Sequence, residues 1–185
     1  MNLEALNKVA EAMVAPGRGI LAADESTGTM KKRMDAIGVE NTEENRHDYR
    51  ELMFRAKEAM GFISGVILYD ETIWQNARDG VPLVKLIEEA NAIPGIKVDE
   101  GARDLHGGKP GEKVTRGLDK LHERLPKYYE QGARFAKWRA IIDPTNLSYA
   151  GLLANTHALA RYANLCQEFD IVPIVEPEVL MDGDN

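Results

Sequence analysis

Apolar positions along this chain fall into two alternating rhythms, one with the spacing of a helix face and one of short unbroken runs. Leu3, Leu6, Val9 and Met13 recur at helical spacing, and Ala15, Pro16 and Gly17 supply a stop. Residues 19–23 then read as a strand that ends in the polar cluster 24–28. Asn41 and Glu44 resemble a capping box, opening a helix whose apolar stripe is Tyr49, Leu52, Met53, Ala56 and Met60. The alternation repeats with a strand over 65–69, a helix opened by Pro82 that carries Leu83, Leu86 and Ile87, and a third strand over 95–99. Gly107, Gly108, Pro110 and Gly111 mark a surface loop. A helix from about Thr115 carries Leu118, Leu121, Leu125 and Tyr128, with Pro126 predicting a kink or an early end because an interior proline costs about 3 kcal/mol. Residues 133–139 make a fourth strand. After the Asp143-Pro144 turn, Leu159, Tyr162, Cys166 and Phe169 share one helix face, and 171–176 form the fifth strand.

Strands alternating with helices imply parallel βαβ units with right-handed crossovers, an α/β fold. Two architectures accommodate them. An open doubly wound sheet would be complete at 185 residues, whereas a (β/α)8 barrel of TIM type typically needs about 250. Length alone favours the open sheet.

The charges argue the other way. Alternate residues of a strand share a face, so Lys97 points with Asp99, Lys137 with Arg139, and Glu176 with Glu178 if the strand runs on through Pro177. Each pair lies near the C-terminal end of its strand, and parallel strands gather those ends on one rim, joined by Asp24 after the first. Taken singly, each charge reads as half of a structural ion pair. Lys97, Lys137 and Arg139 converging with Asp24, Glu176 and Glu178 form an arrangement suited to acid/base work, because mixed signs compensate burial and tune one another's pKa. Trp138 faces opposite to Lys137, into the packing. Ser26, Thr27, Gly28 and Thr29 make a hydroxyl-rich loop that caps a helix or holds phosphate through backbone N–H groups and hydroxyls. Arg33, usually part of a solvated helix face with Lys31 and Lys32, lies close enough to that loop to assist an anionic ligand. Residues 107–111 lack the G-x-x-x-x-G-K-[ST] spacing of a phosphate loop.

Composition narrows the function classes. With 44% hydrophobic residues and 23 Lys+Arg against 30 Asp+Glu, a net charge of −7, the chain is globular and ill suited to nucleic acid or an anionic membrane. No apolar stretch approaches the roughly 18 residues of a membrane span. The lone Cys166 excludes an internal disulfide, suits a reducing compartment and reads as an inert buried thiol. His47, His106, His122 and His157 are scattered, each a solvated or capping residue, and no metal site is expected. Glu4 and Glu11 interrupt the N-terminal segment, so a signal peptide is not expected and a cytoplasmic location is.

The segments GILAADESTGT, ENTEENR, GVILYDET, GIKVDEG, GARFAKWRA and IVPIVEPEVLMDGD resemble class I fructose-1,6-bisphosphate aldolase, in order and across nearly the whole chain. The resemblance implies one partial (β/α) barrel domain over 1–185, truncated to about five βα units, and no metal or other cofactor. It implies reversible cleavage of fructose 1,6-bisphosphate into dihydroxyacetone phosphate and glyceraldehyde 3-phosphate through a lysine Schiff base. Asp24 would work at the cleaved carbon and its hydroxyl. Ser26, Thr29 and Lys97, with Arg33 beside them, would bind the phosphate remote from the imine; threonine at 29 keeps the hydroxyl of a position where the family often has serine. Lys137 and Arg139 would position substrate and stabilise negative charge, and Glu176 would act as general acid/base with Glu178 in support.

One residue has no counterpart: the family's imine-forming lysine lies in a segment resembling L-x-K-P-N on the sixth barrel strand, and the 185 residues contain none. The chain alone is therefore expected to be inactive, unless Lys137, its pKa lowered by Arg139, were recruited as the amine. The loop 143–146 also looks shortened. The alternative is a non-catalytic fragment or interaction module that associates through exposed strand edges, with a complementary barrel half or another copy of itself.

Overall fold

A computed structural model describes residues 1–181. Asp182, Gly183 and Asp184, the end of the last motif, lie outside the described residues. Five parallel strands form a curled half-barrel in the order β1 (Gly19–Ala23), β2 (Ile63–Leu68), β3 (Ile93–Lys97), β6 (Phe135–Ile142) and β7 (Val172–Val179). Each strand lies beside its parallel neighbour in sequence. A doubly wound sheet reverses its order at a switch point; this one does not, so the open-sheet alternative gives way to a truncated TIM-type barrel. All five expected strands are present, the first with the bounds expected and the other four displaced by one to three residues at their ends.

The main core fills the space between the strands and the helices, with Leu68, Ile96, Trp138, Leu125 and Tyr162 fully or almost fully buried. Trp138 stacks at a tilt on Tyr162, 5.5 Å between centroids, as its alternation with Lys137 requires. A smaller cluster lies inside the curl, where helix α1 (Leu3–Met13) brings Met13 against Ile67 and Phe135. Phe135 fits there because β2 and β3 present glycine to it: a Cβ on Gly95 would lie 2.3 Å from its ring.

Several helical expectations change. Helix α3 (Glu43–Phe54) is capped by Thr42, whose side chain accepts from Asn45 N at 3.1 Å; Asn41 instead donates to the carbonyl of Thr27. The expected apolar stripe is not its buried face. Leu52 is 72% exposed, and α3 turns Arg46, Arg50, Glu51 and Phe54 inward because buried carboxylates await the arginines there. The helix expected from Thr115 begins only at Leu121, as α7 (Leu121–Glu130). Lys113–Thr115 (β5) pairs instead with Ala102–Asp104 (β4) in an antiparallel hairpin, and Gly117 crosses the end of β3 at a φ of +130°, which breaks any helix. Pro126 does not end α7; the carbonyl its missing N–H would have met belongs to exposed His122, which water can serve. Loop 143–146 holds a short 3-10 turn, and α8 (Tyr149–Glu168) follows. No helix among the described residues is long and apolar enough to cross a membrane.

Candidate active site

Parallel register sets the ends of β1 and β3 level with the middle of β6 and β7; Lys137, Arg139 and Glu176 are not at the C-terminal ends expected for them, because those two strands run on to Ile142 and Val179. The Cα atoms of Lys97 and Lys137 are direct partners across β3 and β6, and Arg139 and Glu176 are partners across β6 and β7. Two lysines side by side need counter-charge, and each has it. Lys97 Nζ donates to Asp99 Oδ1 at 2.6 Å, while Lys137 Nζ lies 3.1 Å from Asp24 Oδ2 and 3.2 Å from Glu176 Oε2. Arg139 Nε donates to Glu178, and its backbone N–H donates to Asp99 Oδ2 at 3.3 Å. A cavity of about 290 Å³ opens here, lined by Asp24, Ser26, Thr29, Lys97, Lys137 and Arg139 among others.

Ser26 caps helix α2 (Thr27–Ala36), accepting from Thr29 N at 3.3 Å, with the two hydroxyl oxygens 3.2 Å apart. The capping reading of this loop is the one observed, and the two capping hydroxyl residues also line the cavity. Arg33 stands apart from the cavity lining and pairs with Glu25 and, at 3.3 Å, with Tyr49 Oη. Glu176 and Glu178 reach the site through Lys137 and Arg139.

Burial pulls the Lys137 ammonium down, but Asp24 and Glu176 outweigh it and hold its pKa above the ordinary lysine value. Lowering by Arg139 does not occur, since Arg139 is turned to Glu178. Lys137 is thus a cation at neutral pH and not a free amine. Burial pushes the Cys166 thiol up to about 12, in keeping with an inert role.

A model of the glycolytic class-I fructose-bisphosphate aldolases matches residues 5–185. The chain belongs to the class-I fructose-bisphosphate aldolase family. It is 57% identical to a probable fructose-bisphosphate aldolase class 1 of Xanthomonas campestris over 100% of this chain and 56% of that one. It is 53% identical to fructose-bisphosphate aldolase C of Carassius auratus over 97% of this chain and 50% of the relative. A solved structure of fructose-bisphosphate aldolase from Plasmodium falciparum superposes with a TM-score of 0.92 at 50% identity, covering 97% of this chain and 53% of that one. This aldolase-family chain spans about half the length of the relatives it matches.

Sequence reasoning missed two parts of the candidate site in this aldolase-family chain. The β4–β5 hairpin contributes Ala102 and Thr115 to the cavity, and the β-branched run Val114-Thr115 after a Gly/Pro cluster was the available signal. A buried charge cluster also backs the loop 24–29. Arg46 grips Glu71 through two hydrogen bonds of 2.9 and 2.6 Å, and Arg50 lies one turn on. The spacing of Arg46 and Arg50 was the available signal there. His47 is mostly buried rather than solvated, with Nε2 2.8 Å from the Asn76 carbonyl. It lies near Asp48 and Glu51, but Arg78 and Arg55 already engage those carboxylates, so the trio is an ion-pair network.

Proposed function

We propose that this chain carries the acid/base and phosphate-binding rim of a class I aldolase site for fructose 1,6-bisphosphate, in glycolysis and in the cytoplasm. The observation that carries this reading is the Lys137 ammonium held between the Asp24 and Glu176 carboxylates. Asp24 accepts the proton from the hydroxyl on the cleaved carbon, and the adjacent ammonium steadies the negative charge that develops. Glu176 moves protons as general acid/base, supported by Glu178; such catalysis contributes typically about 10²–10⁴-fold. Lys97, Ser26, Thr29 and Arg33 take one phosphate, and Arg139 orients the sugar.

The chain by itself binds this sugar without turning it over, because no L-x-K-P-N-like segment stands among its residues. The test is dihydroxyacetone phosphate with borohydride, read by intact mass. No stoichiometric adduct is expected; an adduct with turnover overturns the inactive-alone reading, and absence of any binding of the bisphosphate by calorimetry overturns the site. A second reading, association through strand edges, is favoured by β1 and β7, each with one strand neighbour among the described residues, and by Val175 and Val179, 47% and 56% exposed. Sedimentation with and without a co-expressed complementary half tests it. A well-behaved monomer in both cases argues against it.

A further inference from the structure

Arg50 has no exposed side-chain surface, yet it is poorly explained by packing. Its Nη2 donates to the backbone carbonyl of Glu25 at 2.7 Å, its Nη1 to Glu71 Oε1 at 3.4 Å, and its Nε has no hydrogen-bond partner among the described residues. Burying a guanidinium with an unmet donor costs stability, and well-packed apolar residues replace buried ion pairs with little loss. What Arg50 holds is more informative. The Glu25 carbonyl belongs to the peptide joining Glu25 to Ser26, with Asp24 on one side and the capping hydroxyl on the other.

We propose that Arg50 is a positioning residue, fixing that peptide from behind and so setting the spacing between Asp24, which meets Lys137, and the Ser26 and Thr29 hydroxyls. The inference rests on the reading of those hydroxyls as phosphate ligands. The surrounding charges support it. Glu25 gives one oxygen to exposed Arg33; the other is buried without a hydrogen bond, 4.0 Å from Arg50 Nη2. When Arg33 turns to an incoming phosphate, Arg50 remains beside Glu25 as its counter-charge.

The test uses the 185-residue chain and Arg50→Lys, which keeps the charge but not the fork that reaches both Glu25 and Glu71. We expect a cooperative melt, a loss of about tenfold in calorimetric affinity for fructose 1,6-bisphosphate, and amide exchange at 26–30 faster by about tenfold. Glu71→Gln, which weakens the aim of the same fork, gives a smaller loss of the same kind and serves if Arg50→Lys does not fold. A purely structural arginine would lower the melting temperature and leave the folded protein's affinity and loop exchange unchanged; that result in either variant overturns the proposal. If the unmutated chain binds no bisphosphate, the functional reading fails. Loop exchange then decides Arg50 alone, and unchanged exchange sinks it.

Discussion

Phe135, Lys137 and Arg139 alternate on one face of β6, yet they belong to two different regions. At the N-terminal end Phe135 is fully buried against Met13, Ile67 and two glycine-bearing strands, and the requirement is shape. Further along, at the third and fifth of its eight residues, Lys137 and Arg139 face Asp24, just past β1, and Glu176 and Glu178 of β7, and the requirement is balance of charge. A single strand thus divides its inward positions between a floor that supports the fold and a rim that supports chemistry. A floor residue lost should cost stability without affinity. A rim residue lost should cost affinity first.

The sharpest way to break this division is Phe135→Ala, expected to lower stability by about 3–5 kcal/mol in urea unfolding while the folded protein binds fructose 1,6-bisphosphate within about twofold. A collapse of affinity in the folded fraction would join the two regions. Lys137→Met leaves Asp24 and Glu176 without their shared cation and should cost about 3 kcal/mol and, by our expectation, about a hundredfold in affinity. Adding Asp24→Asn should restore stability but not binding, a separation that a double-mutant cycle measures. The sign of the pH dependence follows from the raised Lys137 pKa: its contribution is complete below the ordinary value of 10.5 and is lost as pH rises through the higher folded value. The stability gap between the unmutated chain and Lys137→Met should therefore hold at pH 9 and shrink at strongly alkaline pH. On the floor, Gly95→Ala forces the Phe135 ring aside and should cost about 1–3 kcal/mol with affinity intact. The smallest effect is Arg139→Ala on stability, about 0.2–1 kcal/mol, since its pair with Glu178 is more than a third exposed on both sides.

The rim was more readable from residues than the helices around it. Strand alternation has a period of two, so Lys97, Lys137, Arg139 and Glu176 could be placed on one face before any tertiary contact was known. Helix α3 misled because a buried polar face and an exposed Leu52 give the wrong phase to any reading based on apolarity. Only its one-turn spacing from Arg46 hints that Arg50 is buried, since its hydrogen-bond partners lie 21 and 25 residues away. The hairpin was hidden for a similar reason, since its three-residue strands are too short to show a period, and β5 also packs on α8 and β6, far away in sequence. The expected lowering of the Lys137 pKa does not hold, because the charges nearest to it in space are Asp24 and Glu176 rather than Arg139, its neighbour in sequence.

Asn155, almost fully buried on α8, accepts from Thr115 N at 3.2 Å and donates to the Lys113 carbonyl at 3.0 Å, while Thr115 Oγ1 donates to the Arg139 carbonyl at 2.8 Å. The hairpin beside the cavity is thereby bolted at once to a 20-residue helix and to the strand bearing Lys137. On that side the cavity offers the sugar phosphate of the proposed function a surface held in place by two elements at once.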